Sequence, residues 1–278
     1  MTRWFTVMLA AVAGLAIAVA LLLTMSSGGP GTAATSLSAK ALREAADVTA
    51  NEPGYRLSMT MSMVIGNQTI ELSEDGSWSG VGTAMRGAGE VVMDGKHVSE
   101  VFAYPYVYMR SPAGTHLYDA PTPWTKFNLN GFTQAIGIGS MSLSSSSDPA
   151  SELQYLQSVG SVTDAGSAQV DGVSTTHYYA VLDASRAPAK YAAFVERYTG
   201  QSTLPVQVWV DSQHRVRRMT MSFGVCTKSY GTINEQMTLD WSDFGPQPVV
   251  EPPPAAQVTD VTSTLAAFES HAMASVGC

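Results

Sequence analysis

From residue 55 onward the chain alternates. Tyr55, Leu57, Met59, Met61, Met63 and Ile65 are apolar, and Arg56, Ser58, Thr60 and Ser62 between them are polar. Period two of this kind marks an antiparallel strand with one buried face. Further strands are expected over 69–78, 81–93, 96–102 and 106–110, with Asp75-Gly76 and Asp94-Gly95 as the turn residues of a meander. Strands over 161–164 and 168–182 follow, the second alternating through Val173, Thr175, His177, Tyr179 and Val181. The last third predicts three more, over 204–210, 215–225 and 229–241. Met219, Met221, Phe223 and Val225 share one face, as do Ile233, Met237, Leu239 and Trp241. Val216 is out of phase with Met219, which predicts a bulge near Arg217-Arg218.

Helical spacing is rarer. Leu37, Ala41, Leu42 and Ala45 predict a short helix over 37–50. Asp148-Pro149 caps a second, with Leu153, Leu156 and Val159 on one side. The strongest helical pattern spans 185–198, where Tyr191, Phe194, Val195 and Tyr198 fall at i, i+3, i+4 and i+7 and Gly200 stops the helix. Residues 127–141 read as a weak helix or a loop, and Ser144 to Ser147 form a low-complexity break. After the proline-rich run 246–254, Val258, Val261, Leu265 and Phe268 predict a last amphipathic helix. This order gives one α+β domain over 36–245, in which a long antiparallel sheet curls around, or is covered by, helices. Residues 1–35 form a leading segment and linker, and 246–278 a connector and tail.

The leading segment sets the address. Residues 5–25 are almost entirely aliphatic, long enough to cross a bilayer core, and Arg3 is the one charge before them. They predict export of everything after residue 35, either anchored in the cytoplasmic membrane by this segment or secreted after cleavage near Thr32-Ala33-Ala34. Export in turn favours a disulfide between Cys226 and Cys278. The whole chain has 278 residues with 15 bases against 23 acids, a net charge of −8, and this balance argues against a nucleic-acid partner.

A search for chemistry returns little. The five histidines stand apart, with no metal-ligand spacing; G-x-S-x-G, S-x-x-K, P-loop and dinucleotide fingerprints are absent. The carboxylate pairs Glu74-Asp75 and Asp240/Asp243 are explained by turn and strand-end roles. Neither enzyme activity, nor a cofactor, nor a metal is expected. The unusual feature is methionine. Met59, Met61 and Met63 line one strand face and Met219, Met221 and Met237 line two others, either as ordinary core or as an adaptable ligand-facing surface.

Several segments, in order, resemble the LppX/LprAFG family of actinobacterial exported lipoproteins, which have a LolA-like fold. They are Asp148-Pro149 with its helix and Val159-Gly160-Ser161-Val162, then Val170 to Tyr178, then Leu204 to Asp211 running into Arg215 to Arg218, and last Asp240 to Gly245. The resemblance implies a curved antiparallel half-barrel with helices packed on its concave face, enclosing an apolar cavity for an acyl lipid or lipidated molecule. On that basis Met59, Met61, Met63, Tyr191, Phe194, Val195, Met219, Met221, Phe223, Met237 and Leu239 are the candidate cavity lining. The family's lipobox cysteine is missing, since Cys226 is the first cysteine in the chain. The expected function is lipid carriage or chaperoning at the cell envelope. The alternative is a scaffold or sensor for an envelope protein partner, with an exposed apolar patch on 104–108 or 121–127.

Overall fold

The computed structural model describes residues 37–93, 95–112, 115–131, 156, 158–186, 195–197, 199–228 and 231–273. They form one sheet of twelve strands. In chain order these are β1 (Gly54–Ile65), β2 (Gln68–Ser79), β3 (Arg86–Met93), β4 (Lys96–Ala103), β5 (Tyr106–Arg110) and β6 (Trp124–Asn128), then β7 (Val159–Val170), β8 (Val173–Asp183), β9 (Thr203–Asp211), β10 (Val216–Thr227), β11 (Gly231–Ser242) and β12 (Val258–Asp260). Helix α1 (Leu37–Ala50) precedes the sheet and α2 (Thr262–Met273) follows it.

The spatial order is β12-β6-β5-β4-β3-β2-β1-β11-β10-β9-β8-β7. Two meanders, β1 to β6 and β7 to β11, are therefore joined through one non-local pair, β1 with β11. Every neighbour is antiparallel except β12, which runs parallel to β6. The register places the methionines opposite one another: Met221, Met237, Met61 and Leu72 form one row across four strands, and Met219, Leu239 and Met59 the next. Residues directly opposite in an antiparallel ladder share a face, so these rows build a single inner surface.

Helix α1 lies on that surface. Ala39, Leu42, Ala45, Ala46 and Thr49 are its buried stripe and join the same core as the methionines. The alanines let the helix approach β7, β9 and β10 closely. The predicted bulge is present: Val216 pairs with Val210 but Arg218 with Trp209, leaving Arg217 as the extra residue. The Thr49 hydroxyl accepts from the Val216 N–H at 2.8 Å and donates to the Ala45 carbonyl at 2.8 Å, so the helix end holds the bulge.

Four expectations need correction. The stretch 168–182 is two strands, because Asp171 and Gly172 both take positive φ (49° and 79°) and make a two-residue hairpin turn. Asp75-Gly76 sits inside β2 rather than in a turn; Asp75 pairs with Arg56 across the ladder at 2.6 Å. β3 begins at Arg86, not 81, after a short 3-10 turn at Gly82–Ala84. Residues 124–128, where no strand was expected, form β6, to which β12 adds after the proline run. The helix expected from Asp148 lies outside the described residues except for Leu156 and Ser158, with Val159 already in β7; of the 185–198 helix, Ser185 and Arg186 end a 3-10 turn and 195–197 are helical. No helix among the described residues is long and apolar enough to cross a membrane.

Replacing Thr49 by Val keeps the shape and removes the hydroxyl, stranding the Val216 N–H. The expected cost is about 1–3 kcal/mol in a urea melt of the full-length protein. Thr49→Ser should retain most of the stability, and equal loss in both variants would refute this role of the hydroxyl.

Candidate functional site: the inner face of the sheet

The inner surface divides into two regions of different accessibility. On β1, β10 and β11 it is sealed. Met59, Met61, Met63, Met219, Met221, Phe223, Met237 and Leu239 are each at most 5% exposed and pack into one apolar core. Val195 is fully buried in the same core, whereas Tyr191 and Phe194 lie outside the described residues. Further round, on β3, β4 and β5, the inward positions keep accessible surface. Val91, Met93, Val98 and Met109 are half-buried although they continue the same rows, as Met93 opposite Leu72 and Val98 opposite Val91 show. An apolar surface that stays partly accessible on the concave side of a sheet is where the fold can receive an apolar ligand.

Three carboxyl groups interrupt this inner face. Glu74 lies opposite Met59 and Val91. Glu100 lies opposite Gly89 and Met109, and Glu235 opposite Met63 and Phe223. Burial pushes Glu74 up to about 7, with the charge of Asp75 adding to it. Burial also pushes Glu100 well above the usual carboxylate range, and Glu74 raises it further. Glu235 is 4% exposed, its Oε2 has no partner, and burial raises it to about 8. Sequence reading gave Glu74 a turn role and passed over Glu100 and Glu235. The signal was present, since each occupies the apolar phase of its strand: Glu74 after Leu72, Glu100 after Val98, Glu235 between Ile233 and Met237.

The other titratable groups have structural partners. Asp211 anchors the β9–β10 turn, accepting from the Gln213 and Arg215 N–H groups and from the guanidinium groups of Arg215 and Arg217. Burial opposes its charge, but these hydrogen bonds outweigh it and hold Asp211 below the usual range. Arg215 and Arg217 also stack on Phe244, at 4.5 and 4.8 Å from its ring centre. Asp240 binds Arg218 at 2.5 and 2.8 Å, and Glu74 and Asp75 face opposite sides of β2, so neither sequence pair of carboxylates acts together. His97 bonds Glu90 at 2.8 Å, and His177 stacks on Trp209 at 4.2 Å. No three His, Cys, Asp or Glu side chains converge as a metal site among the described residues. Cys226 is half-buried near the end of β10, and Cys278 lies outside the described residues.

The outer face offers a different surface. A groove of about 930 Å³ opens there, edged by Thr60, Ser62, Ser73, Gln236 and Thr238, all in the polar phase of their strands. The segments 104–108 and 121–127 run largely as β5, β6 and the turns beside them, and no large hydrophobic residue is exposed in either.

No protein-family model matches the chain, and no curated protein matches it at a significant level. Among solved structures, the lipoprotein LppX of Mycobacterium tuberculosis superposes with a TM-score of 0.51 at 15% identity, covering 76% of this chain and 97% of its own. LprF of Mycobacterium bovis gives 0.46 at 14% identity, over 83% of this chain and 100% of its own. A LolA-superfamily protein of Nitrosomonas europaea gives 0.28 at 7% identity, over 77% and 94% of the two chains. The likeness to LppX shows the fold: this chain is a curved antiparallel half-barrel of the LppX, LolA-like type.

Glu235 makes stability depend on pH in a defined direction. Its folded-state pKa of about 8 lies above the ordinary 4.5, so the folded state binds the extra proton and stability falls as pH rises from 4.5 through about 8. Glu235→Gln removes that dependence. It should stabilise the protein at pH 8 by about 1–3 kcal/mol while changing little at pH 4.5, read as melting temperature against pH. A variant less stable than the parent at pH 8 would contradict the assignment.

Proposed function

We propose that this half-barrel is a non-enzymatic exported protein that binds a lipid or lipidated molecule along its inner face, for carriage or chaperoning at the cell envelope. The observation that carries the reading is the accessible apolar stretch of inner wall on β3, β4 and β5, continuous with a core that is sealed elsewhere. The LppX-type fold supports it. Met93 and Met109 on that stretch are flexible and polarizable, suited to acyl chains of varied shape, while Met59, Met61 and Met63 form the solid floor behind them. In this reading the apolar segment 5–25 serves as membrane anchor or cleaved signal, and Cys226 pairs with Cys278 to tie the tail to β10.

Full-length protein purified from a native-like membrane source should carry acyl lipid, seen by mass spectrometry of the intact complex and of its organic extract. Met93→Glu and Val98→Glu place a charge on accessible inner wall. They should reduce bound lipid at least about tenfold, the equivalent of roughly 1.4 kcal/mol, with little change in melting temperature. Lipid-free parent protein would defeat the proposal. Intact mass with and without reduction checks the cysteine pair, and the N-terminal peptide shows whether the leading segment is cut.

A further inference from the structure

The outer face carries a surface that the fold itself does not use. One row across six strands reads Tyr179, Gln207, Thr220, Thr238, Thr60, Ser73. With strands about 4.8 Å apart, the row is roughly 24 Å long. It contains no charge, and the hydroxyls of Thr60, Ser73, Thr220 and Thr238 have no hydrogen-bond partner among the described residues. At the end formed by Thr238, Thr60 and Ser73 it borders the groove of about 930 Å³, where Glu71 adds a carboxylate.

The other end is aromatic. The His177 ring lies on that of Trp209, 4.2 Å between centres and 3° from parallel, and its Nε2 is 3.1 Å from Oε1 of Gln207. Tyr179 leans on the same ring, 4.6 Å between centres and 53° between planes. Tyr179 is 52% exposed, and no other Phe, Trp or Tyr among the described residues is exposed. A ring propped by its neighbours yet open to water loses little freedom when a ligand stacks on it. On the same face of β8, Thr175 is 6% exposed and its Oγ1 has no partner; it borders a second recess, of about 550 Å³, with Gln169 and Ser212. A buried hydroxyl without a partner beside a recess is open to a ligand's hydrogen bond.

We propose that this row binds an extended, uncharged oligosaccharide, with Tyr179 stacking on one sugar and the Gln, Thr and Ser side chains meeting the hydroxyls of the sugars that follow. Charge complementarity selects the class. In the neighbouring row Arg218 pairs with Asp240, Asp75 with Arg56 and Glu90 with His97, so no unmatched cation awaits a polyanion there. A polycation would find Glu71 alone. A protein partner would need an apolar core to bury, and the row offers one ring and no aliphatic side chain. Sugar hydroxyls both donate and accept, as do the Thr and Ser hydroxyls and the Gln amide. The C–H face of a sugar ring is slightly positive and is drawn to the negative face of an aromatic ring. The row lies on the opposite face from the inner wall, so this binding does not depend on whether that wall holds lipid.

Calorimetric titration of the full-length chain in amphipol tests it, with the neutral hexasaccharides of glucose (both 1,4-anomers), mannose and N-acetylglucosamine, and with hexagalacturonate and hexaglucosamine as charged counterparts. At least one neutral hexasaccharide should bind, and its trisaccharide, which covers only part of the row, about tenfold more weakly. Tyr179→Ala should weaken binding about tenfold or more at an unchanged melting temperature, and Tyr179→Trp should retain it. Thr60→Val and Thr238→Val keep the side-chain shape without the hydroxyl and should each cost about three- to tenfold in affinity. Failure of all four neutral hexasaccharides to bind, tighter binding of either charged one, or Ala and Val variants that bind like the parent would overturn the inference. So would a photo-crosslink from benzoylphenylalanine at position 179 to a polypeptide in an envelope fraction, with no sugar bound, which would give the face to a protein partner.

Discussion

The pairing of β1 with β11 is the constraint on which the rest of the molecule depends. Each of the two meanders can form from local contacts, but neither alone encloses anything. Their junction brings together residues from the two ends of the domain, Met61 opposite Met237 and Leu57 opposite Trp241. Closing so long a loop is costly in chain entropy, and a ladder of backbone hydrogen bonds backed by buried methionine rows repays it. Helix α1 then has a seat, because the inner surfaces of β9 and β10 become continuous with that of β1. The Thr49 hydroxyl fixes the helix at the one place on β10 where the ladder is broken.

The same junction separates two kinds of inner surface. Around β1, β10 and β11 the wall is closed, apolar and methionine-filled. Around β3 to β5 it is partly open and carries Glu100 on β4, with Glu74 beside it on β2. Burying an ionisable group in an apolar setting costs stability, and burial raises all three inner acids. Glu235 differs from the other two in lying in the sealed part, where no accessible surface adjoins it.

Much of the architecture could be read from period two alone. Alternation located most of the strands, the phase slip at Val216 located the bulge, and the spacing of Leu37, Ala41, Leu42 and Ala45 located α1. What escaped reading had physical causes. Asp171-Gly172 turns the chain in only two residues between segments that both alternate, so two strands looked like one. β6 is five residues and β12 three, too short for a periodic pattern to declare itself, and both depend on a neighbour already in place. The inner acids were visible as breaks in an apolar phase, but a carboxylate in a strand reads by default as solvent-facing. Only the register, which sets Glu100 across from Gly89, shows it turned inward.

The sheet ends in two free margins rather than meeting itself. β7 forms one, bent by irregularities near Gly160 and Gly166 and largely polar on its exposed positions; the three residues of β12 cap the other. Both are poor templates for a further strand. In a closed barrel, strand number and stagger fix the bore. Among the described residues no strand pairing joins β7 to β12, so strand number and stagger do not set a bore for this half-barrel. Its curvature is set strand by strand, by the twist of each pair and the packing on its inner face, and not by closure.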